Sequence, residues 1–167
     1  MKSFPAILAA AALLLPLAAH AQFTFEQDQP SFKVTIPSFP AMKMEAHPMN
    51  AKNPHLRSLG TEGGFAVSIL TPTADAAMKA SDCADTLIRV LHRRPGVPPQ
   101  NRIQKARIDA NTFIAVYASS PQELHAHLFS AAGGTHCVEV HATRMNPSES
   151  EFSTWLRSFV SARIEPR

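Results

Sequence analysis

From Phe23 onward the chain keeps returning to a period of two. Phe32, Val34 and Ile36 alternate with Lys33 and Thr35, and Leu124, Ala126 and Leu128 alternate with His125, His127 and Phe129. Val138, Val140 and Ala142 alternate with Glu139 and His141. Successive side chains of a strand point to opposite faces, so this spacing demands sheet. Residues 23–26, 41–46 and 102–108 alternate too, 56–62 and 65–70 read as two strands, and 112–118 is rich in β-formers. Gly63-Gly64, Asp109-Ala110-Asn111 and Gly133-Gly134 are turn signals that fold neighbouring runs back on each other.

The period changes to that of a helix twice. Near Ser81, a candidate N-cap, Asp82 and Asp85 suit a helix start, and Cys83, Leu87, Val90 and Leu91 form an apolar stripe that Pro95-Gly96 ends. Asn146-Pro147-Ser148-Glu149 opens the second helix, with Asn146 as N-cap and Glu149 at N3. Phe152, Trp155, Leu156, Phe159 and Val160 follow as its stripe. The pattern predicts an α+β fold in one domain, 22–167. A single antiparallel β-sheet of about six to eight strands, built from hairpins and a meander, is packed by a central helix and a C-terminal helix.

Residues 1–21 read differently. Lys2 is followed by an apolar run from Phe4 to Leu17, and Ala19-His20-Ala21 has the small-x-small form of a signal-peptidase site. This predicts a secretory leader cut between Ala21 and Gln22, too short for a transmembrane span. No cysteine adjoins the cut, so the product is expected to be a periplasmic or secreted protein, neither lipid-anchored nor membrane-inserted. The formal net charge is +3 and the basic residues are scattered, which argues against nucleic acid as a partner.

Cys83 and Cys137 are the two cysteines. In an oxidising compartment they are expected to form one disulfide, worth about 4 kcal/mol by loop-closure arithmetic. A bridge between them would tie the first helix to a late strand. It also raises a question of parity, because Cys137 shares a face with Glu139 and His141 while Val138 and Val140 face the core. Either helices cover both sheet faces, or a bulge near Gly133-Gly134 shifts the register.

Catalytic signatures are absent. The chain has no Gly-x-Ser-x-Gly, His-Glu-x-x-His, Cys-x-x-Cys or glycine-rich phosphate loop. Two metal-ligand patterns are present. His125-x-His127 puts two imidazoles on one strand face, about 7 Å apart; His141 joins them if its strand is adjacent, with Glu139 a further candidate. Such a face suits Zn²⁺ or Cu²⁺, or else is the solvated side of the sheet. Met42, Met44, His47 and Met49 carry the soft donors that Cu(I) prefers, although Met42 and Met44 also suit a core face.

Phe23-x-Phe25, the segment Ser31 to Pro40, the hairpin, the helix, the meander and the closing Phe152-x-x-Trp155-Leu156-x-x-Phe159 helix follow one another in an order that resembles the PsbP-like fold of small bacterial periplasmic proteins. The resemblance implies an antiparallel sheet sandwiched by helices, acting as an accessory or binding module without catalysis. The expectation is therefore a non-catalytic secreted protein, without a cofactor, that acts through a protein partner as an immunity protein, inhibitor or envelope-assembly factor. A periplasmic copper or zinc protein is the alternative.

Overall fold

The computed structural model describes residues 21–72, 79–91, 97–133 and 136–167. The expected leader up to His20, the Thr73 entry to the first helix, the Pro95-Gly96 stop and Gly134 lie outside them, as do the side chains of Leu87, Val90 and Leu91. The strands are β1 (Gln22–Asp28), β2 (Ser31–Pro37), β3 (Glu45–Ala46), β4 (Leu56–Glu62) and β5 (Phe65–Leu70), then β6 (Gln104–Arg107), β7 (Thr112–Ser120), β8 (Glu123–Gly133), β9 (His136–Met145) and β10 (Arg163–Pro166). Helix α1 (Ala80–Leu91) precedes β6, and α2 (Glu149–Val160) precedes β10.

The fold is α+β with antiparallel pairing, but the strands divide into two sheets rather than one. β1-β2-β10 form the smaller, and β3-β4-β5-β9-β8-β7-β6 the larger. Two local features account for the division. Ser38 adopts φ 54°, so the chain leaves β2 on a new course and only Glu45–Ala46 of the alternating 41–46 run pairs as strand. After α2 the chain returns as β10 beside β2, with Ile164 buried. A single apolar residue, Ile164, between Arg163 and Glu165 gave no sequence signal for that strand.

The smaller sheet lies over one face of the larger. Phe23, Phe32, Val34, Ile36 and Ile164 share a buried cluster with Val67, Ile69, Leu128, Val138 and Val140, and Trp155 and Phe159 of α2 join it. Phe39 is edge-on to Phe23, Phe65 and Phe159, so the turn after β2 is locked between both sheets and α2. Phe152 and Val160, expected on the buried stripe of α2, are exposed.

The other face of the larger sheet carries α1. Ala84 and Ile88 cluster with Ala115 and Phe129, Asp85 pairs with Lys105 of β6, and Cys83 is bonded to Cys137. Cover on both faces answers the parity question. Cys137 lies on the Glu139–His141 side, and that is the side on which α1 sits.

Helix α2 starts two residues later than its Asn146-Pro147 signal suggests. Ser148 is the N-cap, and Ser148 and Glu151 exchange side-chain and backbone bonds in a capping box. Asn146 instead takes φ 48° and donates its N–H to Gln122 O, pinning the chain to the β7–β8 turn. The Ser148 backbone N–H, helped by Arg144, pulls the Glu151 carboxyl down to about 2. Arg144 also donates to Gly63 O and lies over the Phe65 ring, joining β9, α2 and the β4–β5 turn. That turn uses Gly63 and Gly64 at φ 55° and 80°, conformations that side chains disfavour.

The bridge closes a loop across a sequence separation of 54, so its loss loosens the unfolded chain. Replacing both cysteines by alanine is expected to lower the unfolding free energy by about 4 kcal/mol, measured by urea titration. A loss under about 1 kcal/mol would show that α1 is held by its packing alone.

Candidate functional site

The α1-facing side of the larger sheet holds a polar and aromatic row. In the register of β8 with its neighbours, His127 stands opposite His141 of β9, and His125 stands opposite Tyr117 of β7. The rings stack in sequence. Phe129–His127, His127–His141, His141–His125 and His125–Tyr117 have centroid separations of 5.7, 4.1, 5.3 and 4.7 Å, with interplanar angles of 18° or less. His127 is fully buried, and Glu139, His125 and Tyr117 are buried with it. The face that carries these histidines is therefore not a solvated one.

His127 Nδ1 lies 2.7 Å from Glu139 Oε1, a buried imidazole–carboxylate pair. At the other end of the row a chain of contacts runs outward. Ser119 Oγ donates to Glu123 Oε2 at 2.7 Å, His125 Nε2 is 2.9 Å from Ser119 Oγ, and His125 Nδ1 is 3.1 Å from His141 Nε2. A register shift between Ala118 and Ser120 marks a bulge at Ser119, next to this chain.

Counting donors assigns the protons along this chain. The single Ser119 hydroxyl proton goes to Glu123, so His125 Nε2–H is the donor to Ser119 Oγ. Burial holds the His125 imidazole below its usual range, against the opposing pull of Glu123, so the ring is neutral near pH 7 and its Nδ1 accepts from His141 Nε2–H. Every donor in the chain points toward Glu123. A serine nucleophile needs the reverse, a bare imidazole nitrogen facing its hydroxyl proton. In this arrangement the row orders and stabilises β7, β8 and β9; it does not activate Ser119.

The metal candidates are partly assembled. His125, His127 and His141 do come together, but as stacked rings, and His125 and His141 spend a proton and a lone pair on each other. Among the described residues, no three His, Cys, Asp or Glu side chains are placed to hold a metal ion. Met42 and Met44 are half-buried against the core. A Cβ built at Gly60 would lie 2.5 Å from Met44 Sδ and 3.0 Å from Met42 Sδ, so both sulfurs fill the space above that glycine. His47 Nδ1 accepts the Met49 backbone N–H, and Met49 is exposed.

Sequence reasoning missed Tyr117, Ser119 and Glu123. Tyr117 was legible as a β7 residue, but its place beside His125 depends on the β7–β8 register. Ser119 reaches His125 through a bulge that alternation does not encode.

Two concavities flank α2. One, of about 290 Å³, is lined by Phe39, Pro40, Phe65, Thr154 and Trp155, among others. The second, of about 480 Å³, is lined by Ala118, Pro121, Glu123, Leu124, Pro147, Ser148, Glu149, Phe152 and Ser153. No protein-family model matches the chain, and no curated protein matches it.

Because the His125 pKa is lowered on folding, the unfolded chain binds more protons below the ordinary histidine value of about 6.5. The contribution of His125 is fully present above that pH and is lost as pH falls below it through the lower folded-state value. His125→Gln is expected to flatten the fall in urea midpoint between pH 7.5 and 5; an unchanged slope would remove His125 as a contributor.

Proposed function

We propose that the protein is a non-catalytic secreted binding or accessory protein, released from its leader between Ala21 and Gln22 and acting through a protein partner as an immunity protein, inhibitor or envelope-assembly factor. One observation carries the reading. The titratable cluster is buried and turned on itself, whereas the concavity open to a partner sets apolar side chains, Pro121, Leu124, Pro147 and Phe152 among them, beside polar ones. Phe152 and Met145 are also exposed at that end of the molecule, where Met145 stands opposite Glu123 across the β8–β9 pair. Apolar groups left at the surface beside a concavity are a common mark of protein association. The PsbP-like resemblance supports the same reading, since it implies a module that binds without turnover.

The test introduces a photo-cross-linking residue singly at Met49, Arg107, Phe152 and Val160 in cells that secrete the protein. At least one position is expected to give a discrete adduct that excess unlabelled protein abolishes. Adducts at none, or hydrolytic turnover of generic substrates that is lost in Ser119→Ala, would overturn the proposal.

A second reading, a Cu(I)-binding protein, is favoured by the two thioethers gathered above Gly60. On that reading, Cu(I) competition titration finds one site tighter than about 10 μM that Met42→Leu with Met44→Leu abolishes. Equal affinity in the double variant would sink it.

A further inference from the structure

The concavity of about 480 Å³ has a defined construction. One wall is the β7–β8 turn with Pro121 and the start of β8 with Leu124; the other is Pro147 and the first turn of α2 with Phe152. The Asn146 N–H bond to Gln122 O holds the two walls at fixed separation. Phe152 is exposed, whereas Trp155 and Phe159 of the same stripe are buried and Val160 at its far end is exposed. An aromatic ring left in water at the side of a fixed groove is available area for an apolar side chain.

The same groove is acidic within a chain whose formal charge is +3. Glu123 and Glu149 both line it. Glu149 is exposed and, among the described residues, forms no ion pair. Glu123 accepts the Ser119 hydroxyl through Oε2, while its Oε1 is 3.6 Å from His125 Nε2, beyond hydrogen-bond length. That oxygen keeps acceptor capacity. The carboxylates of Glu149 and Glu151 in the first turn offset the positive end of the α2 dipole, and the Ser148–Glu151 capping box takes up the Ser148 and Glu151 N–H groups.

We propose that this groove docks an extended segment of a partner protein that sets an apolar side chain against Phe152 and a lysine or arginine at the Glu123–Glu149 rim. The inference rests on the partner-binding reading and names the chemistry of the partner. The apolar side chains of the lining supply area, and two carboxylates select the cation beside them and penalise acidic segments.

Phage-displayed linear peptides selected on the purified, oxidised protein provide the test. Enriched peptides are expected to pair an aromatic or aliphatic residue with a nearby lysine or arginine. Fluorescence anisotropy of a labelled synthetic copy should show at least tenfold weaker binding to Phe152→Ser and to Glu149→Lys, with Val160→Ser within twofold of the parent. All three positions are exposed, and thermal melts check that each variant folds. No enrichment, enrichment of acidic or uncharged peptides, or equal binding by Phe152→Ser or Glu149→Lys would overturn the proposal. A discrete cross-link at Met49, Arg107 or Val160 together with any of those results would leave the partner reading standing and remove only the groove.

Discussion

The register of β8 on β9 is the constraint on which the rest of the structure depends. Leu128 opposite Val140 and His127 opposite His141 sort the two strands into an aliphatic face and an imidazole face. The aliphatic face receives the smaller sheet and α2; the imidazole face receives α1 and the disulfide. A slip of one residue would exchange the two faces, setting histidines and a glutamate against Phe32 and Phe159. The desolvation cost of that exchange fixes the pairing more firmly than backbone hydrogen bonds, which a slipped ladder would largely recover.

Much of this was legible from alternation alone. Strands β1 to β9, both helices and the Cys83–Cys137 bond follow from local pattern and from pairing two cysteines. The division into two sheets was not legible, because it turns on where β2 ends and on a four-residue strand after α2, and neither carries a periodic signal. The start signal for α2, Asn146-Pro147, lies two residues early, because the bond from the Asn146 N–H to Gln122 O, which holds Asn146 outside the helix and leaves the cap to Ser148, is a tertiary contact that local sequence does not encode. The candidate site was half legible. His125 and His127 stand out on one strand, but burial reversed the meaning of their face, and Tyr117, Ser119 and Glu123 join them only once the strands are paired.

Burial of so many rings on one sheet face limits what those rings can do. Stacked imidazoles at 4.1 and 5.3 Å leave little space for water between their planes, and His125 engages both of its nitrogens, with Ser119 and His141, so charging that ring would bring a positive charge into a poorly solvated space. His125 shows the balance, with desolvation outweighing the nearby carboxylate. The arrangement is rigid and specific, properties that suit a scaffold holding the hairpin ends of β7, β8 and β9 in place.

Glu123 is where that scaffold meets the surface. Its carboxylate ends the donor chain from His141 through His125 and Ser119, and it also lines the groove beside Phe152. Its negative charge is what favours the protonated form of His125 against the pull of burial. A partner's lysine or arginine at the groove rim would offset that charge and so weaken the support for protonated His125. Linkage makes the effect reciprocal: protonation of His125 would in turn weaken the hold of Glu123 on the cation. On the docking proposal, a partner and the proton would compete through one carboxylate, so that acidification is expected to loosen the complex and high salt to loosen it independently by screening the rim.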